Sequence, residues 1–166
     1  MSVTTSQSAT VTLPADDQIL ITRDFDAPRE LVYRAHTTPE LVSRWWTAKR
    51  GEMKIAEIDL RVGGSWRFVM VTPDGQEVGF HGMYREIVPN ERLVSTEAYE
   101  GAPADEYPEN ATLNTATFEE SDGRTTLTIR VEAPNKAVRD AIIASGMEAG
   151  LQDALDLLEE VANSLR

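Results

Sequence analysis

No cysteine occurs among the 166 residues. That excludes disulfides, cysteine nucleophiles and thiolate metal sites, and it fits a cytoplasmic protein. Histidine is scarce too: His36 and His81 are the only two. Neither belongs to an HExxH or HxH pattern, so no metal site and no cofactor is expected. GxSxG is missing, which leaves Ser43, Ser65 and Ser95 without a nucleophile elbow. GxGxxG and GxxxxGK[ST] are also missing, so Gly63-Gly64 reads as a turn and not a phosphate loop. No run approaches the ~20 apolar residues that a membrane helix needs. The opening MSVTTSQSATVTL has neither a basic start nor an apolar core, so no secretory signal is expected. Basic residues number 16 against 28 acidic ones, for a net charge of −12. Such a surface repels phosphate backbones and anionic membranes, so neither nucleic acid nor membrane insertion is expected.

What is present is ordinary for a globular domain: 41% hydrophobic and 27% charged residues. The length suits one domain with a proper core. Residues 1–18 are rich in Ser and Thr and poor in bulky groups. They read as a flexible tail, with a short strand at Thr10–Leu13, ahead of a single domain over 19–166. ILITRDFD (Ile19–Asp26) alternates like a strand. Asp26-Ala27-Pro28 starts a helix capped by Asp26 or Ala27 and running to about His36. Thr38-Pro39 starts a second short helix through Trp45-Trp46.

Strands follow at Met53–Leu60, Ser65–Thr72, Glu77–Val88, Arg92–Tyr99, Ala111–Glu119 and Thr125–Val131. They are separated by turn signals and by a polar loop at Gly101–Asn110. From about Asn135 to Leu165 an i, i+3, i+4, i+7 apolar stripe predicts a long helix, with Gly146 and Gly150 costly inside it.

The turns fix which side chains share a face. A three-residue loop at Pro73-Asp74-Gly75 pairs Thr72 with Gln76, hence Met70 with Val78, Phe68 with Phe80 and Trp66 with Gly82. A tight turn at Pro89-Asn90, with ends at Val88 and Glu91, pairs Tyr84 with Ser95, Gly82 with Glu97 and Phe80 with Tyr99. Side chains alternate with period two, so Trp66, Phe68, Met70, Phe80, Tyr84, Ser95, Glu97 and Tyr99 share one face. Arg67, Glu77, His81, Arg85 and Thr96 fall on the other, more polar face. An aromatic face needs a cover. It is either plain core or the wall of a cavity, in which Gly82 leaves space between Trp66 and Glu97. Glu97 either pairs with an arginine, sits at a wetted rim or meets a ligand. Of Trp45 and Trp46, one is expected in the core and the other half exposed.

Four ordered blocks, FDAPRELVYRAHTTPELVSRWW, GGSWRFVMVTPDG, HGMYREIVPNERLVSTE and GMEAGLQDALDLLEE, resemble the START / Bet v 1-like (SRPBCC) superfamily. Within it they resemble the bacterial single-domain proteins similar to the C-terminal domain of activators of the heat-shock-protein-90 ATPase. The resemblance implies an α+β helix-grip fold. Its parts are a curved antiparallel sheet of about six to seven strands, two short helices after the first strand and a long C-terminal helix across the sheet. It also implies a cavity lined by Trp66, Phe68, Phe80, Tyr84, Glu97, Tyr99, Met147 and Leu151, to which the face count adds Met70. The expected partner is a small hydrophobic ligand. The alternatives are a cyclase or hydrolase that uses Glu97, and a protein-interaction module or homodimer.

Overall fold

The computed structural model describes residues 8–101 and 111–166. Its strands are β1 (Thr10–Thr12), β2 (Gln18–Phe25), β3 (Glu52–Ile58), β4 (Ser65–Val71), β5 (Glu77–Val88), β6 (Arg92–Tyr99), β7 (Thr112–Ser121) and β8 (Arg124–Glu132). Helices α1 (Arg29–Thr37) and α2 (Pro39–Val42) follow β2, and α3 (Lys136–Ala144) and α4 (Met147–Ser164) close the chain. The strands form one curved, unclosed antiparallel sheet in the order β1-β2-β8-β7-β6-β5-β4-β3. This is the helix-grip plan with eight strands rather than six to seven. Counting the short segment at Thr10–Thr12 as a strand makes the eighth: it pairs Val11 with Ile21 along the free edge of β2. Ala9 ties the same segment to α4, its N–H donating to Gln152 Oε1 at 2.9 Å and its carbonyl accepting from Gln152 Nε2 at 2.8 Å. The expected loop after Gly101 lies outside the described residues.

The first turn count holds residue for residue. Thr72 N–H donates to Gln76 O at 2.9 Å, and Trp66 faces Gly82, Phe68 faces Phe80 and Met70 faces Val78. The second count reaches the right pairs by a different route. Glu91 N–H closes the turn on Val88 O at 2.9 Å, but the ladder resumes with Val88 opposite Arg92, not Glu91. The extra residue is absorbed between Tyr84 and Glu86, where Arg85 is left as a bulge. Beyond it, Tyr84 faces Ser95 and Phe80 faces Tyr99.

Three helix boundaries differ from expectation, the first being that α2 stops at Val42 and does not run on through Trp45-Trp46, which lie in the turns after it. Pro28 (φ −63°, ψ 148°) occupies the N-cap of α1, and neither Asp26 nor Ala27 caps it. The orphan N–H of Arg29 is taken by Glu120 Oε1 of β7 at 2.9 Å. Asp26 instead donates its backbone N–H to Glu159 Oε2 of α4 at 2.8 Å. The C-terminal stripe is two helices, broken at Gly146, whose φ of +82° suits glycine and would strain other residues. Gly150 stays inside α4.

The core lies between the concave sheet face and the helices. Ile19, Ile21 and Phe25 of β2 and Leu127 of β8 meet Val32 of α1 and Leu155 and Leu158 of α4. His36 is packed here as well, its ring 5.2 Å from Trp45 and 5.3 Å from Phe118. Its Nδ1–H donates to Val32 O at 2.9 Å. Burial lowers its pKa from 6.5 to about 4, against the opposing pull of that carbonyl. The folded pKa is thus depressed. The stabilisation is complete above the unfolded value near 6.5 and is lost as pH falls through 4. Relative to His36→Gln, wild type is expected to lose about 3 kcal/mol between neutral pH and pH 4. Urea denaturation across that range checks this; parallel stability curves would refute it.

Candidate functional site

The aromatic face is assembled by β4 and β5. Trp66 and Phe68 lie with ring centroids 5.0 Å apart. Phe80 stands opposite Phe68 and contacts Tyr99 at 5.2 Å. Tyr84 is buried further along β5. Burial, with Tyr33 nearby, pushes its phenol up to about 12, so it stays protonated. Met70 is half-buried, while Tyr99 is 50% exposed and so marks a rim. Met147 and Leu151 of α4 are partly buried against the core on the opposite side.

Trp46, the half-exposed member of the tryptophan pair, also contributes to the cover. Trp46, just after α2, sets its ring edge-on to Phe68 at 5.6 Å and to Phe80 at 5.9 Å. Trp45 is the core member of the pair and donates Nε1–H to Ala35 O at 2.9 Å. The stretch carrying Trp46 is held to α4 by Arg50, whose Nη1 lies 3.0 Å from Asp153 Oδ2.

Glu97 is half-buried and has no cationic partner among the described residues. Asn114 Nδ2 donates to its Oε1 at 3.3 Å, and Asn114 Oδ1 accepts from Thr112 Oγ1 at 2.8 Å. The carboxyl therefore ends a chain of neutral polar groups set in apolar surroundings. Burial raises its pKa, only partly offset by the Asn114 hydrogen bond. A raised folded pKa means a contribution fully present below the unfolded value of about 4.3 and lost as pH rises through the folded value. Glu97→Gln is accordingly expected to gain stability relative to wild type as pH climbs from 4 to 8. Denaturation curves over that range test it, and a constant difference would count against it.

Gly82 has a different job from leaving space. A Cβ there would sit 1.8 Å from Thr96 O and 2.8 Å from Trp66 Nε1. The glycine lets β6 approach closely and lets the Trp66 indole lie across it. The ladder is irregular here: Met83 N–H donates to Thr96 Oγ1 at 3.0 Å. Trp66 Nε1 is itself buried without a hydrogen-bond partner among the described residues.

His81 sits on the opposite face, as the face count expects. Its Nδ1 is 2.8 Å from Glu100 Oε2, and Arg67 grips Glu100 with two bonds of 2.9 Å. Arg67 and His81 hold the Glu100 carboxyl below its ordinary range. A Glu97–His81 dyad is ruled out by the sheet between them. Sequence reasoning also passed over Arg23. It is 2% exposed, with Nη1 2.7 Å from Asp156 Oδ1 and Nη2 3.5 Å from Glu159 Oε1. The signal was available, since Arg23 falls in the inward register with Ile19, Ile21 and Phe25. Two shallow clefts lie elsewhere, near the start of α1. One is about 310 Å³, lined by Arg29, Arg92 and Phe118 among others, and one about 440 Å³, lined by Glu30, Asn90 and Glu120 among others. No helix among the described residues is long and apolar enough to cross a membrane.

A curved antiparallel sheet with a C-terminal helix across its concave face defines the helix-grip class. The family model described as "Activator of Hsp90 ATPase homolog 1-like protein" matches residues 26–163, and the chain belongs to that family. A Rhodobacter sphaeroides protein of known structure is 25% identical with a TM-score of 0.84, covering 94% of this chain and 99% of its own. A Chromobacterium violaceum protein is 28% identical with a TM-score of 0.76, covering 89% of this chain and 98% of its own. DynU16, a protein from the dynemicin biosynthetic locus, shares the fold at 20% identity and a TM-score of 0.66; the match covers 92% of this chain and 49% of DynU16. No curated protein matches the sequence.

Proposed function

We propose that the chain binds a small hydrophobic or aromatic molecule between the concave face and α4. The single domain, residues 19–166 with β1 joined to its sheet, would work in the cytoplasm. Trp66, Phe68, Met70, Phe80 and Tyr84 would form the wall, Met147 and Leu151 the roof, and Tyr99 the rim. The observation that carries this reading is Glu97, an ionisable side chain half-buried on an apolar face with no cation to offset it. Plain cores avoid such groups, whereas ligand pockets combine apolar walls with a few placed polar groups. A thermal-shift panel of lipids, aromatics and polyketides tests it. A ligand at one hundred times its Kd adds about 2.7 kcal/mol, which raises the melting temperature by several degrees in a domain of this size. No shift with any of them would sink the reading.

The raised pKa of Glu97 favours one further reading, an enzyme of the polyketide cyclase or hydrolase type with Glu97 as acid or base. Turnover by wild type and loss in Glu97→Gln would support it. The family's description supports a co-chaperone-like role through protein contacts. Light scattering after size exclusion, alone and with candidate partners, separates a homodimer or complex from a monomer.

A further inference from the structure

We propose that residues 46–50 form a strap that opens to admit a small hydrophobic molecule to the aromatic face and closes again over it, with Arg50 as the latch. This rests on the binding reading above and adds the route by which the site fills.

The strap runs between two fixed points. Trp45 is buried and tied by its indole N–H to Ala35 O. Glu52, opposite Val71, starts the β3 ladder. Between them Trp46 is half-buried, with its ring edge-on to Phe68 and to Phe80. A molecule that takes that place on the two rings has to displace the Trp46 indole.

The closed strap is strained. Ala48 and Lys49 have φ of +53° and +63°. Among the described residues, the other non-glycine positions with positive φ are Asn90 and Asp122. Asparagine and aspartate suit that region because a short polar side chain can bond locally, and they enter it as single residues. Alanine and lysine lack that help, and here they stand in succession. Strain of this kind persists only where the surroundings enforce it, and it gathers at ligand clamps and switches. What enforces it here is the burial of Ala48, which is 6% exposed, and the ring contacts of Trp46.

The latch is slight. Arg50 Nη1 donates to Ala48 O at 3.1 Å and lies 3.0 Å from Asp153 Oδ2, so one guanidinium joins the strained carbonyl to α4. The two side chains are 44% and 55% exposed, which makes this a weak surface pair. A strained segment with a weak latch between firm anchors is built to have two positions.

The test starts with the full chain carrying 5-fluorotryptophan, whose three fluorine resonances are assigned by Trp45→Phe, Trp46→Phe and Trp66→Phe. Relaxation dispersion is expected at Trp46 and not at Trp45. Lys49→Gly relieves the closed form from an exposed position and should cut the open population about tenfold. Arg50→Met should raise it by up to about fivefold. Asn90→Gly gives the same relief in the turn between β5 and β6 and should leave Trp46 unaltered. Stopped-flow binding of N-phenyl-1-naphthylamine then ties the strap to the site. Lys49→Gly should slow association and dissociation together, each about tenfold, with Kd unchanged. A Kd that shifts while association stays fast would make Lys49 a purely structural position and overturn the strap. Bound probe with no dispersion at Trp46, or with rates indifferent to Lys49→Gly, overturns the strap while the binding reading stands. Failure of the probe to bind overturns both.

Discussion

Arg23→Ala is expected to cost about 2–5 kcal/mol of folding stability, chiefly through lost packing and the void it opens. The guanidinium is almost wholly buried and joins β2 to α4 through Asp156 and Glu159. It also stacks over the Phe25 ring, 5.0 Å from its centroid. Truncation removes all of these contacts and opens a void beneath the helix. The two carboxylates are not buried with it, their side chains being 53% and 23% exposed, so they can rehydrate. Arg23→Met separates the contributions because it keeps volume and removes charge; it should recover about half of the loss. Urea denaturation followed by tryptophan fluorescence gives both numbers. A loss under about 1 kcal/mol for Arg23→Ala, the size of a surface ion pair, would show that the clamp is unimportant.

Gly82→Ala is expected to destabilise by more than about 3 kcal/mol or to prevent folding. Its Cβ overlaps the Thr96 carbonyl, a backbone atom that cannot step aside without parting β5 from β6. Gly150→Ala is the matched control. There a Cβ would meet only the end of Arg50, at 4.0 Å, within a helix. That substitution should be neutral or stabilise by up to about 1 kcal/mol. If both variants behave alike, the close approach at Gly82 is not what the residue is for.

These two residues show which parts of the chain the sequence discloses. The register of β4, β5 and β6 was readable because turn chemistry is local and alternation propagates it. The bulge at Arg85 was not, since nothing in the residue marks it and the compensating turn hid it. The break at Gly146 was visible only as a cost, because the left-handed φ that redeems it depends on how two helices dock. Glu120 capping α1 joins residues far apart in the chain, so no local signal announces it. On the candidate site, the shared face was legible and its cover was not. Trp46 reaches Phe68 and Phe80 only because α2 carries it over those strands. Arg23 was in plain view in an apolar alternation, but its partners Asp156 and Glu159 looked like part of a general acidic surface.

The sheet does not close, and β3 is left with one side unpaired. That side is a poor template for another chain. Glu52, Lys54 and Glu57 are exposed along it, and Lys54 is fixed by Glu77 at 2.6 Å. The ladder of β3 also skips between Met53 and Ile55, which breaks the regular spacing that an incoming strand would have to match. This edge of the sheet is thereby guarded against pairing with another chain, and neutralising Lys54 together with Glu57 would weaken that guard.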